Sequence, residues 1–233
     1  MRDWNRRMYR MTEEFIVFDT VDNSDEVYDI SGGYKLPDFM YEEIKDKISR
    51  LLNKYNVRNI PVNVFALARK LDIKLVKFSD LTDYEIQSLA IFGVTEDTAG
   101  FYALVEKNGR KAHYIYYNDK LELGRVRFTI LHEIGHIVLD HIEQSDLAEA
   151  EANFFAKYLI APPILVDKIK PIDYTEIKAA FLLSTTCAWN SFDYYQSWKR
   201  HHSKVKNYEE YEKRILSSCS LVVPEPYKNK CAL

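Results

Sequence analysis

The chain has 233 residues, of which 47% are hydrophobic and 29% charged, which is the composition of a globular protein able to bury its own core. Its formal net charge of -3 argues against direct nucleic-acid binding, and no apolar run approaches the roughly 18 residues that a membrane-spanning helix needs. Three cysteines without a CxxC pair fit a reducing compartment, so we expect a cytoplasmic protein with no membrane partner.

The N-terminal half is predicted to contain two helices followed by short strands. Residues 1–35 are irregular, acidic and glycine-containing, so we expect an N-terminal extension that is laid over the domain or partly disordered. Apolar residues at helical spacing predict a helix over residues 37–55 and a second over residues 62–71. Strands are predicted at four places, over residues 73–78, 89–94, 101–105 and 113–117. Asn108-Gly109 indicates a hairpin turn between the last two strands, because both residues tolerate positive φ.

The C-terminal half is predicted to be helical. A helix over residues 123–139 is followed after only about six residues by another over residues 146–160, so the two should form an antiparallel hairpin. Pro162-Pro163 should end the second of these helices. Two more helices are expected, over residues 174–183 and 185–202. The predicted organisation has three parts: an N-terminal extension over 1–35, one domain over 36–203 and a C-terminal tail over 204–233.

The helix over residues 123–139 carries an HExxH motif, His132-Glu133-Ile134-Gly135-His136. Residues i and i+4 lie on one helix face about one turn apart, so the two imidazoles can hold a single Zn²⁺. Glu133 can then reach a water molecule at the ion. The flanking residues are apolar almost all round, which indicates a buried helix whose polar groups need partners, and a metal supplies one for both rings. The alternative is a pair of core histidines hydrogen-bonded to the backbone.

A catalytic zinc site usually has a third protein ligand. His141 would point about 160° away from the histidine pair unless the helix breaks at Asp140. The next helix offers two glutamates. Glu149 shares a helix face with small residues, which permits close helix packing, whereas Glu151 shares a face with bulky aromatic residues such as Phe154. Packing therefore favours Glu149 as the third ligand, and Glu151 stays open as the alternative.

These motifs resemble those of the ImmA/IrrE metallopeptidases, whose pattern is HElGH, then E-x-x-A-N-x-F-A, then a leucine pair and a proline. The second motif falls on Glu149-Ala150-Glu151-Ala152-Asn153-Phe154-Phe155-Ala156, and the resemblance covers roughly residues 37–200. It places the third ligand at Glu149. Together with the predicted elements it implies an α+β, zincin-like fold, mostly helical, with a small three- to four-stranded mainly antiparallel sheet packed on the HExxH helix.

The resemblance also implies an activity, a cofactor and a partner. We expect a zinc metallopeptidase with one Zn²⁺ per chain, bound by His132, His136 and Glu149, and with Glu133 as general base. Such proteins often cleave a helix-turn-helix repressor and are frequently encoded on prophages or other mobile elements. Zincin-type sites commonly hold their substrate as an added strand, and the strand over residues 113–117 is the predicted edge.

Two other functions are open at this point. The chain could be a non-catalytic, zinc-containing regulator that binds a repressor or serves a toxin–antitoxin type system. Retention of Glu133 argues against a purely structural zinc site, which has no use for an adjacent unligated carboxylate. The helices over residues 174–202 vaguely resemble a helix-turn-helix, but the acidic balance disfavours DNA binding.

Overall fold

The computed structural model of the chain describes residues 15–22, 35–90, 93–95, 97–107, 110–143, 145–203 and 207–222. Its strands are β1 (Phe15–Asp22), β2 (Asn59–Ile60), β3 (Ile73–Lys77), β4 (Thr98–Lys107), β5 (Arg110–Tyr117) and β6 (Ser220–Leu221). Its α-helices are α1 (Asp38–Lys54), α2 (Val64–Lys70), α3 (Asp83–Leu89), α4 (Leu123–Val138), α5 (Asp146–Ile160), α6 (Pro163–Val166), α7 (Tyr174–Phe181), α8 (Thr185–His202) and α9 (Glu210–Ser218). None of the helices in these described ranges is long and apolar enough to cross a membrane.

Four of the strands form one sheet in the order β1-β4-β5-β3. β4 pairs antiparallel with β1 and with β5, whereas β3 joins the far side of β5 in parallel. Lys107 faces Arg110 at the end of the β4–β5 pair, and the predicted Asn108-Gly109 turn between them lies outside the described residues. The mainly antiparallel, four-stranded sheet confirms the predicted fold class.

Strand β5 is not a sheet edge. β3 pairs with it from Ile73 opposite His113 to Lys77 opposite Tyr117, which is the whole segment predicted to receive a substrate strand. The backbone groups on both sides of this segment are therefore used within the sheet, because β4 occupies the other side. The prediction that residues 113–117 offer a free edge is wrong. The edge strands of the described sheet are β1 and β3.

Helix α4 packs directly on one face of the sheet. A Cβ atom added to Gly100 in β4 would lie 2.6 Å from Cγ2 of Thr129 in α4, so strand and helix are in contact. The opposite face of the sheet is covered by a smaller apolar cluster, made of Leu89, Val94, Phe101, Ala103 and Tyr116. The HExxH helix thus lies between the sheet and the other helices, where most of the buried apolar side chains gather.

Helices α4 and α5 form the predicted antiparallel hairpin. The chain leaves α4 through Asp140, whose φ of 59° reverses its direction, and α5 begins where the Ser145 hydroxyl accepts a hydrogen bond from the Ala148 amide. The two helices approach closely at Gly135. A Cβ atom there would lie 3.2 Å from Cα of Ala152, so the glycine in the motif marks the point where α5 passes.

A buried arginine joins α4 to two distant parts of the chain. The Arg127 guanidinium donates hydrogen bonds to the carbonyl oxygens of Phe181 and Leu182, each at 2.6 Å, and of Val62 at 3.2 Å. Burial lowers the pKa of Arg127 to about 10, so the side chain is still charged at neutral pH. The HExxH helix is therefore held to the end of α7 and to the segment before α2.

Three elements differ from the sequence-based expectation. Residues 89–94 were predicted as a strand, but α3 ends at Leu89 and residues 90, 93 and 94 are not in a strand, while residues 91–92 lie outside the described ranges. A capping box between Thr82 and Glu85 fixes the start of α3. Within residues 1–35, β1 adds to the sheet beside β4. Within the predicted tail, α9 contacts α1 through an ion pair between Arg214 and Asp46. The division into three parts is not decided by these contacts and stays a prediction.

Candidate metal centre

Helix α4 brings the motif into the interior of the protein. Its residues from Gly124 to His136 are all buried, and His132, Glu133 and His136 are 2%, 0% and 3% exposed. Burial of three such groups without partners would cost several kcal/mol. The partners of the two histidines come from α5 and from the segment that follows α4.

Glu149 completes a compact group with the two histidines. Nε2 of His136 lies 3.0 Å from Nε2 of His132. The Glu149 carboxylate places Oε1 at 3.1 Å from Nε2 of His136 and Oε2 at 3.4 Å from Nε2 of His132. The three potential ligand atoms all lie within 4.8 Å of one another. Glu149 stands in the first turn of α5, and its side chain keeps 27% exposure, so the group is reachable from solvent on one side.

The distances within this group fit a zinc ion. Ligand atoms on a tetrahedral ion at 2.0–2.1 Å are about 3.3 Å apart, close to the separations seen here. Two imidazole nitrogens that both present lone pairs also repel each other at 3.0 Å unless a proton or a cation lies between them. Two imidazoles and one carboxylate are a donor set of catalytic zinc sites, which leave a fourth position open.

The sides of the histidine rings that face away from the group are engaged as well. Nδ1 of His132 lies 3.1 Å from Oδ1 of Asn153, to which it donates, so Nε2 of His132 carries no proton and can face a metal. Asn153 lies one turn after Glu149 on α5. The same helix therefore supplies both the third candidate ligand and the partner that orients the first histidine.

His141 lies against the other histidine. Helical spacing places His141 away from the histidine pair unless the helix breaks at Asp140, and the helix does break there. As a result, Nδ1 of His141 lies 2.9 Å from Nδ1 of His136. Its Nε2 lies 3.1 Å from Oε2 of Glu151. Glu151, the alternative third ligand, thus contacts His141 and stands outside the group that Glu149 completes.

The surroundings of His136 and His141 favour the neutral forms of these two imidazoles. Burial lowers the pKa of His136, an effect that its hydrogen bond with Glu149 opposes in part. Burial also lowers the pKa of His141, and the neighbouring His136 adds to the decrease. A neutral imidazole is the form that binds metal, so the surroundings favour the ligand form of His136 near neutral pH.

Tyr102 approaches the motif from the sheet. It is 3% exposed on β4, and burial raises its pKa to about 12, with the charge of Glu133 adding to the increase. Its hydroxyl lies 2.8 Å from Nδ1 of His113 on β5. The sequence could not single out this tyrosine among 17. The signal that could have found it is strand register, which puts Tyr102 on the strand face that also carries Gly100, against α4.

A helix with HExxH, packed under a sheet and paired with a glutamate-bearing helix, defines a zincin-like domain of the metallopeptidase type. The family model described as IrrE N-terminal-like domain, peptidase family M78, matches residues 81–185 of this chain. The match over this segment agrees with the resemblance of the motifs to the ImmA/IrrE metallopeptidases. No curated protein matches the chain. The matched segment contains the whole candidate metal centre.

Proposed function

We propose that this protein is a zinc-dependent endopeptidase. The observation that carries the proposal is the meeting of His132, His136 and Glu149 at ligand distances, with the buried Glu133 beside them on the same helix. The match to a peptidase family supports a metallopeptidase, and the donor set supports zinc as its metal. The roles of the individual residues, one ion on the three ligands and Glu133 as general base, are part of the proposal.

The reaction assigned to this site is hydrolysis of a peptide bond. When bound, zinc would lower the pKa of a water molecule and polarise the carbonyl under attack. Glu133 then takes the proton from the attacking water and delivers it to the leaving amine nitrogen as the carbon–nitrogen bond breaks. The orientation of His132 is kept by Asn153.

The proposed substrate is a helix-turn-helix repressor of the phage type, cut in the cytoplasm at one or few bonds. Its support is the family resemblance, together with the buried free thiols of Cys187 and Cys219, which fit a reducing compartment. Unselective proteolysis inside a cell would be harmful, so we expect poor turnover of generic substrates. A substrate strand cannot pair with β5, whose two sides are already used.

The test incubates the purified protein and Zn²⁺ with the repressor encoded beside its gene, and fragments are identified by mass spectrometry. Glu133→Gln is the control, because it should keep zinc and fold while hydrolysis falls by about 10²- to 10⁴-fold. Efficient digestion of casein beside an intact repressor would refute a specific protease. Normal zinc content without cleavage of any protein would favour the non-catalytic regulator.

A further inference from the structure

We propose that His141 and Glu151 are positioning residues, which fix the tautomer and orientation of His136 for metal binding. The inference rests on the proposed function in so far as it concerns the same metal centre. Neither residue belongs to the group formed by His132, His136 and Glu149. Both act through hydrogen bonds on the far side of His136.

When His141 is neutral, one arrangement of protons suits the chain of contacts from Glu151 to His136. The Glu151 carboxylate can only accept, so Nε2 of His141 donates to it across 3.1 Å. A neutral His141 then has a lone pair on Nδ1, which accepts from Nδ1–H of His136 across 2.9 Å. This leaves Nε2 of His136 without a proton and facing the group. Glu151 thereby selects the metal-binding tautomer of a ring that it does not touch.

The backbone at the end of α4 builds this contact. The amide of His141 donates to the carbonyl of His136 at 3.0 Å, and the amide of Asp140 donates to the carbonyl of Ile137 at 3.3 Å. With Asp140 in the left-handed region, these two bonds are a Schellman motif. In such a motif the residue after the left-handed one usually makes an apolar contact with the last turn. Here two imidazoles meet in that place, edge to face with ring centroids 4.9 Å apart.

The two ligand histidines are supported in different ways, and the difference explains why Glu151 is needed. Asn153 presents an amide oxygen, which accepts from His132 without further help. An imidazole accepts at Nδ1 only when its proton is on Nε2, so His141 needs a partner that holds it there. The side chains of His141 and Glu151 are 9% and 18% exposed, which limits competition from water.

The experiment measures zinc affinity by competition with a chromogenic chelator, and the absorption spectrum of the Co²⁺-loaded protein. Removal of such outer partners typically weakens metal binding by about 10- to 100-fold, which we expect for His141→Leu. His141→Gln should recover most of the loss, since its amide oxygen can accept from His136. Glu151→Ala should weaken binding less, and Glu143→Ala, which removes a nearby exposed carboxylate, should change nothing.

The decisive measurement is the double variant His141→Leu/Glu151→Ala. If Glu151 acts through His141, the double variant binds zinc no more weakly than His141→Leu alone. Additive losses, or wild-type affinity in His141→Leu, would overturn the positioning role. A Co²⁺ spectrum that shows loss of a ligand in His141→Leu would overturn it too, because His141 would then bind the ion itself. Failure of the wild-type protein to bind zinc would overturn this role and the proposed function together.

Discussion

Alanine at Gly124 should destabilise the protein, because the glycine is in the first turn of α4 against another backbone. A Cβ atom there would lie 2.2 Å from the amide nitrogen of Ser184 and 2.5 Å from the carbonyl carbon of Leu183. Ordinary contacts of a Cβ atom begin near 3.4 Å, so the segment at 183–184 would have to move by about 1 Å. Backbone atoms cannot rotate out of the way as the end of a side chain can.

Two opposing effects set the size of this change. Alanine gains up to about 1 kcal/mol over glycine in helix propensity. Overpacking of a close-packed site costs about 1–3 kcal/mol, and the upper end applies where backbone must shift. We therefore expect a net loss of about 2 kcal/mol in the free energy of unfolding. For a chain of this length that lowers the midpoint of thermal unfolding by about 4–8 °C.

Gly135→Ala in the same helix is the matched control. It gains the same propensity, but its nearest neighbours are 3.2 Å away, at Cα of Ala152 and Cδ1 of Phe155. Crowding should then nearly cancel the gain, leaving stability within about 1 kcal/mol of wild type. Thermal and urea unfolding of the metal-free proteins measure both variants. The reasoning is refuted if Gly124→Ala is as stable as wild type, or if Gly135→Ala is the less stable of the two.

Three further predictions concern the metal centre. Glu149→Ala should abolish stoichiometric zinc in elemental analysis while Glu151→Ala retains it at saturating metal, and the reverse result would assign the third ligand to Glu151. Asn153→Leu should cost about 1–3 kcal/mol, since it removes the acceptor of a buried ring N–H, whereas Asn153→Asp keeps an acceptor and should lose less in urea unfolding. The metal-free protein should lose stability as the pH falls through about 6.5. Burial lowers the pKa of His136 and His141 in the folded protein below their pKa in the unfolded chain. Below about pH 6.5 the unfolded chain therefore binds more protons than the folded protein, which favours unfolding. Melting midpoints at about pH 7.5 and about pH 5.5 test this, and an unchanged midpoint would contradict it.

Local signals explain why much of the helical part could be predicted from the sequence. The bounds of α5 agree with the prediction at both ends, because Ser145 caps its start and Pro162-Pro163 follows its end. The position of the two histidines one turn apart needs nothing beyond helix geometry. The place of Glu149 beside the histidines could be predicted because small residues on its helix face, such as Ala152, indicate where two helices can approach.

The parts that could not be predicted depend on partners distant in the chain. β3 pairs with β5 across some forty residues, and no local pattern distinguishes an edge strand from one that is flanked on both sides. The strand expected over residues 89–94 begins at Leu89, which instead ends a short helix whose start is capped at Thr82. The contact of His141 depends on a single backbone angle, at Asp140, which the spacing of residues does not determine.

The hydrogen bonds of Arg127 bear on how the protein can be dissected. The family match covers residues 81–185. Two interactions reach outside it: the Arg127 guanidinium donates a hydrogen bond to the carbonyl of Val62, and β5 pairs with β3. A fragment cut at the limits of the match would bury a charge with one acceptor missing and expose one side of the central strand. We therefore expect a fragment over 81–185 to aggregate on expression. The smallest unit able to fold should begin before Val62, so that it includes this carbonyl and β3.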